Sequence, residues 1–287
     1  MKKKKKFKVL FFQVDMGLNK STFADLLQRI QLLSPEERTA ESKNLRLDKI
    51  EKDELAKVWY GTLAKIRMDS LPEKMNHKTG ESSDLLINDD EGIAEMSAFL
   101  FDPEVNVLLV QRSTYGPSET AFSEYFHEKC TTSPIAMNII LKRDVLEKLR
   151  NMQILYKFEC KMAKPVADAF VDDSSVTNFL ASLGTTEYTD VDIILSADKS
   201  TGLASWIKKF ATLLSQNITG RYKRLKVGGI SSDGTQDFLD LLQCKKEELV
   251  EIERDSFRTI SFTMRKYVLK EAYLGSKEEI YEMYKHE

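Results

Sequence analysis

Two short apolar arms hinged at Asp102-Pro103-Glu104 constrain this chain more than any other stretch. Ser97 to Asp102 reads SAFLFD, and Val105 to Arg112 reads VNVLLVQR. Proline at the second turn position presets its backbone, and the aromatic and β-branched residues on either side suit paired strands. The second arm carries Val105, Val107, Leu108, Leu109 and Val110, so at least one face of this hairpin is buried. Asp89-Asp90-Glu91-Gly92 forms a turn before the hairpin, and Tyr115-Gly116-Pro117 breaks the chain after it. Ser118 then stands where it can cap a helix with Phe122, Tyr125 and Phe126 on its apolar side.

Strands and helices interleave around the hairpin. Phe7 to Val14 is aromatic and β-branched and predicts a strand. Ser21 is the expected N-cap of a helix through Leu33, with Phe23, Leu26, Leu27 and Ile30 on one face. Val58 to Asp69 reads as a strand, and residues 73–83 as an exposed loop. Further strands are expected at 135–142, 154–162, 189–197 and 221–230, the last ending in Gly228-Gly229. Helices are expected at 144–150, 174–182, 203–214, 233–242 and 270–284, with strand-like runs at 247–252 and 259–268. This order predicts an α+β fold of mixed, largely antiparallel sheets with flanking helices. The polar stretch Cys130 to Pro134 suggests two domains, 1–130 with the hairpin and 131–287 with the basic segment described below.

Composition excludes several classes. A chain of 287 residues with 42% hydrophobic content builds a sizeable core. No run of about 18 apolar residues offers a membrane span. The Lys2 to Lys6 tract before Phe7 to Val14 lacks the h-region and cleavage site of a secretory signal, which suggests a cytoplasmic protein. Cys130, Cys160 and Cys244, like His77, His127 and His286, are scattered without metal-ligand spacing, so no metal or other cofactor is implied. A net charge of −2 means that a polyanion site must be a local patch.

Four features carry candidate chemistry. Asp89, Asp90 and Glu91, with Glu159-Cys160-Lys161 after Asp144, are the nearest approach to a metal-dependent nuclease set; a solvated turn is the plainer reading. Gly116-Pro117-Ser118 lacks the context of a nucleophile elbow or a phosphate cradle and reads as a structural turn. Residues 199–232 hold Lys199, Lys208, Lys209, Arg221, Lys223, Arg224 and Lys226 and no acid. Alternation along the strand puts Arg221 and Lys223 on one face, and Tyr222, Arg224 and Lys226 on the other. Such a strip suits phosphate contacts that position without reading sequence. The alternative is a solvated face paired with acids such as Glu247, Glu248, Glu251 and Glu253. The Lys2 to Lys6 tract adds a basic terminus that attracts nucleic acid or merely solubilises an end.

An ordered series of segments resembles the phage lambda RexA-type exclusion proteins. Asp89 to Ile93, Ser97 to Phe101 and Thr114 to Ser118 follow their turn, strand and Gly-Pro pattern. Phe158 to Lys161 with Lys164-Pro165, Ser182 to Thr186, Asp192 to Ile194 and Trp206 to Lys209 continue in the same order. The chain is also similar to an uncharacterised bacterial family with the same signature, found among phage and defence genes. The likeness implies a two-domain α+β architecture related to the recombination-associated RdgC proteins. It further implies a homodimer that binds double-stranded DNA without sequence preference and acts in phage exclusion with a membrane partner. It does not extend past about Gly220, so the basic strip rests on charge alone.

These readings combine into a non-enzymatic, sequence-independent double-stranded DNA-binding protein of an anti-phage or prophage exclusion system. Lys208, Lys209, Arg221, Lys223, Arg224 and Lys226 are the expected contact residues, with a defence-system protein as partner and no direct membrane insertion. The alternatives are a metal-dependent nuclease-like effector and a protein–protein module that uses the aromatics around Tyr115 and Phe126.

Overall fold

A computed structural model of the chain describes residues 2–40, 44–130, 135–163, 190–216, 218, 222–254, 256–257 and 259–285. In chain order these residues form β1 (Lys3–Asp15), α1 (Phe23–Gln31), β2 (Thr39–Ala40), β3 (Leu45–Asp53), β4 (Val58–Arg67), β5 (Lys74–Met75) and β6 (Ser82–Ser83). Then come β7 (Ile93–Asp102), β8 (Val107–Gln111), α2 (Glu119–Lys129), β9 (Ala136–Ile139), α3 (Arg143–Asn151), β10 (Met152–Ala163) and β11 (Asp190–Ser196). The last elements are α4 (Ser205–Gln216), β12 (Tyr222–Ser231), β13 (Gln236–Asp240), β14 (Glu247–Arg254) and α5 (Phe262–Tyr284). The fold is α+β with antiparallel sheets and flanking helices, as the interleaved order of the sequence predicts.

The chain divides into two compact units, Met1–Ala136 with Glu248–Glu287, and Met137–Glu247. The division therefore differs from the expected 1–130 and 131–287: the C-terminal strand and helix belong with the N-terminal residues. The boundary segment 131–134 and the expected helix at 174–182 lie outside the described residues.

In the first unit the strands run in the order β14-β1-β8-β7-β4-β3-β2. The β7–β8 hairpin has Phe99 opposite Val110 and Phe101 opposite Leu108, and both of its faces are buried. On one face, Phe99 and Phe101 meet Phe23 of α1 and Phe122 and Phe126 of α2 in edge-on contacts 4.8–6.2 Å between ring centroids. Ser97 Oγ donates to the Pro117 carbonyl at 3.0 Å, and a Cβ on Gly116 would lie 2.6 Å from that Oγ. Glycine is thus required where the Gly-Pro break folds back onto β7, and Ser118 caps α2 as expected.

The other hairpin face meets α5. Tyr273 and Tyr281 donate to Asp102 Oδ2 at 2.7 and 3.0 Å, and the Glu104 amide donates to Asp102 Oδ1 at 2.9 Å. Asp102 is only 2% exposed, so these donors replace its lost water. Burial, and then the Asp102 carboxylate, raises the Tyr273 hydroxyl above its ordinary value and keeps it a donor. Arg265 donates to the Met96 carbonyl, and Lys266 binds Glu51 and lies 4.8 Å from the Tyr60 ring centroid.

Several expectations need correction. Thr22, not Ser21, caps α1, because the Thr22 hydroxyl and Asp25 carboxylate exchange bonds with each other's backbone N–H. A second hairpin, β3–β4, turns at residues 54–57, with Asp53 accepting from two amides and Lys57 in the left-handed region at φ 56°. The expected helix at 233–242 is strand β13, because the Asp233-Gly234 turn reverses β12 directly onto it. The expected strand-like run at 259–268 is the first part of α5, capped by Ser261. The Lys2 to Lys6 tract is no loose terminus: Lys3 to Lys6 lie in β1, and Lys4 pairs with Glu251 of β14 at 3.0 Å.

Replacing Tyr273 with Phe leaves the buried Asp102 carboxylate short of a donor. We expect a loss of about 1–3 kcal/mol in denaturant unfolding without a change of fold. Unchanged stability would show that Tyr281 and the Glu104 amide suffice.

Candidate nucleic-acid interface

The expected basic strip falls in the second unit, on a four-stranded sheet of order β11-β10-β12-β13. All its pairings are antiparallel, so strand alternation sorts the side chains into two faces. Phe158, Cys160, Met162, Leu225, Val227 and Leu239 form the buried face. Lys157, Glu159 and Lys161 of β10 lie on the open face, with Asp192 and Ile194 of β11, Arg224 and Lys226 of β12, and Phe238 and Asp240 of β13.

Cross-strand register sets acids beside bases along most of that open face. Lys161 stands between Asp192 and Arg224, and Glu159 between Ile194 and Lys226, which in turn faces Asp240. Arg224 reaches Asp192 at 2.5 Å and Glu159 at 3.6 Å, and Lys226 reaches Asp240 at 3.6 Å. Lys223 is the residue that pairing skips between Lys161↔Arg224 and Met162↔Tyr222, a bulge, and its Nζ lies 2.6 Å from Asp190. The acids that pair the strip therefore come from its own sheet. Of those expected, Glu251 binds Lys4 and Glu248 accepts from Ser276 Oγ.

Lys208 and Lys209 lie on α4, which packs through Ile207, Ala211 and Leu214. That helix covers the apolar side of β10, whereas Arg224 and Lys226 line the opposite, open side. Among the described residues neither lysine forms an ion pair, and Lys209 is exposed. Arg221 lies outside the described residues. The structure thus assembles Lys223, Arg224 and Lys226 into a paired ladder and sets Lys208 and Lys209 on a separate layer.

Sequence reasoning passed over one feature of the open face. Between Leu155↔Gly229 and Lys157↔Gly228 the pairing skips Tyr156, a second bulge. Tyr156 and Phe238 both border the position that a Gly228 Cβ would occupy, with Lys157 over the Phe238 ring and Lys199 over the Tyr156 ring. The available signal was Gly228-Gly229 inside a strand, a mark of a bulge or of close approach by neighbouring groups.

The other candidates are ordinary structure. Asp89 to Glu91 sit in an exposed turn where Glu91 accepts from the Asn88 amide. Among the described residues no three His, Cys, Asp or Glu side chains gather as a metal site, and no helix is long and apolar enough to cross a membrane. The three cysteines are free thiols, and burial pushes that of Cys160 up to about 12. Phe126 is fully buried in the aromatic cluster, so of the proposed contact aromatics only Tyr115 is exposed.

The ladder has a pH signature. Hydrogen bonding from Lys157 holds the Glu159 carboxyl below its ordinary value, and that from Lys223 does the same for Asp190. Groups depressed in the folded state contribute stability above the ordinary carboxylate range and lose it as pH falls through that range. The melting temperature should therefore drop on acidification below about pH 4.5, and less steeply in a Glu159→Gln, Asp190→Asn variant. Parallel pH profiles of the two proteins would show that other carboxylates control acid unfolding.

No curated protein matches the chain. Residues 2–282, which include both units, match the family described as "Family of unknown function (DUF6731)", and the chain belongs to that family.

Proposed function

We propose that this chain is a non-enzymatic, sequence-independent nucleic-acid-binding protein, with double-stranded DNA as its ligand. The observation that carries the reading is the acid-free run of residues 199–232, in which Lys208 and Lys209 project from α4 outside the ion pairs of the sheet. Cations not already matched by carboxylates are the ones that gain from replacing the counterions of a phosphate backbone. The paired ladder of Lys223, Arg224 and Lys226 serves mainly to hold the sheet in register. The ordered likeness to RexA-type exclusion proteins supplies the setting: a cytoplasmic homodimer acting with a partner protein in phage exclusion.

Fluorescence anisotropy on a labelled duplex at rising salt tests the reading. Binding should be detectable at low salt, fall steeply as salt rises, and vary little between duplex sequences. Charge reversal at Lys208 and Lys209 should weaken every duplex alike and flatten the log-log salt slope by about 2, roughly one per lost phosphate contact. These positions are cleaner probes than Arg224 or Lys223, whose reversal would place like charges beside Asp192 and Asp190. Absence of binding at low salt with micromolar protein overturns the proposal.

A further inference from the structure

The ring pair on the open face of the second unit has the form of a built site. Phe238 projects from edge strand β13 and remains 50% exposed. It stands opposite Gly228, which stands opposite Lys157. A Cβ on Gly228 would lie 3.0 Å from Phe238 Cδ2, 3.1 Å from Tyr156 Cε2 and 3.2 Å from Lys157 Cβ. Three side chains from two strands therefore close over a position that has no side chain of its own. Tyr156 reaches this face only through the bulge in β10; without it, alternation from Lys157 would turn the ring to the buried side.

The surrounding charges select the ligand. Lys157 Nζ lies 5.5 Å from the Phe238 ring centroid, and Lys199 Nζ lies 5.1 Å from that of Tyr156. Lys199 also donates to Gln236 Oε1 at 2.8 Å. Lys157 Nζ is held by Glu159 Oε1 at 2.8 Å, whereas among the described residues Lys199 meets no carboxylate, so a purely apolar partner would leave the Lys199 ammonium without an anion and a cationic one would be repelled by it. A flat π-system linked to an anion satisfies the rings and Lys199 together. Those are the parts of an unpaired nucleotide, whose base stacks on aromatic faces while its phosphate meets lysine. Duplex DNA keeps its bases stacked on one another and presents no free face to such rings.

We infer that Tyr156 and Phe238, above Gly228, form a stacking site for an unpaired base of single-stranded nucleic acid, with Lys199 contacting its phosphate. The inference rests on the reading of the chain as a nucleic-acid binder, and it adds a second, base-directed site to the cations of α4. The probes are labelled oligo(dT), oligo(rU) and a duplex of matched length, each titrated by anisotropy with the full chain. Phe238→Ala should weaken single-strand binding at least fivefold, the change produced by losing about 1 kcal/mol of stacking. Duplex affinity should stay unchanged, and Phe238→Tyr should retain single-strand binding. Tyr156→Ala should act in the same direction; because Tyr156 is half-buried, its melting temperature is measured alongside. Lys199→Gln should weaken single-strand binding and reduce its salt dependence. Binding of either strand in this pattern supports the site, and the preferred strand identifies the nucleic acid as DNA or RNA. Single-strand binding unaffected by Phe238→Ala and Tyr156→Ala overturns the inference and leaves the duplex reading standing. Duplex binding without single-strand binding does the same, whereas absence of both overturns the parent reading as well.

Discussion

Burial of both faces of the β7–β8 hairpin is the constraint from which the first unit is built. Phe99 and Phe101 require an aromatic layer on one side, which α1 and α2 supply through Phe23, Phe122 and Phe126. Leu100 and Asp102 require cover on the other side, which α5 supplies from the far end of the chain. A fully buried Phe or Leu contributes about 1.5–3 kcal/mol relative to exposure, so the hairpin is worth little until both layers are in place. Asp102 makes that docking specific, because its carboxylate is satisfied only when Tyr273 and Tyr281 reach it. The unit is accordingly discontinuous in sequence: the residues that complete its core follow the whole of the second unit.

The second unit uses its sheet differently. One face is apolar and covered, and the other carries the opposite-charge partners Lys161–Asp192, Glu159–Lys226 and Lys226–Asp240, with Lys161 also facing Arg224. Side chains that look like an anion-binding strip in one dimension are, across the strands, already matched by Glu159, Asp190, Asp192 and Asp240. Three register shifts interrupt the β10–β12 pairing, and two of them re-aim a side chain. One brings Lys223 to Asp190, and the other turns Tyr156 onto the open face above Gly228. Irregularities in an otherwise regular sheet thus determine which groups remain available for a ligand.

Much of the fold was legible because short-range rules governed it. Proline at the hairpin turn, the Ser118 cap and the apolar face of α1 all act within a few residues, and the alternation expected from Ile154 holds from Lys157 to Met162 but fails at Leu155 and Tyr156, where the bulge reverses it. The misreadings have an equally local cause. The strand expected from Val58 is the second arm of β3–β4, whose first arm went unread because the turn places Lys57, not glycine, at positive φ. β13 follows an Asp-Gly turn with only five residues, too few for periodicity to separate strand from helix. The first turns of α5 carry Phe262, Tyr267 and Val268, which read as β-formers until the helix is docked on the hairpin.

The site was less legible than the fold. Charge along the chain marked residues 199–232 correctly as free of acids, and that property belongs to the sequence alone. Whether a cation is free depends on what lies beside it across a strand, and Asp190, Asp192 and Asp240 are brought there by pairing, not by proximity in sequence. The aromatic pair has the same origin, since Tyr156 and Phe238 are separated by most of the unit and are brought to one place only beside Gly228. The hairpin between Ser97 and Arg112, from its apolar arms to its Asp-Pro-Glu turn, was set by local chemistry that any fold would have to respect. Its place at the centre of a sheet, closed by a helix from the other end of the chain, is a long-range outcome of burying both its faces, and only the tertiary structure decided it.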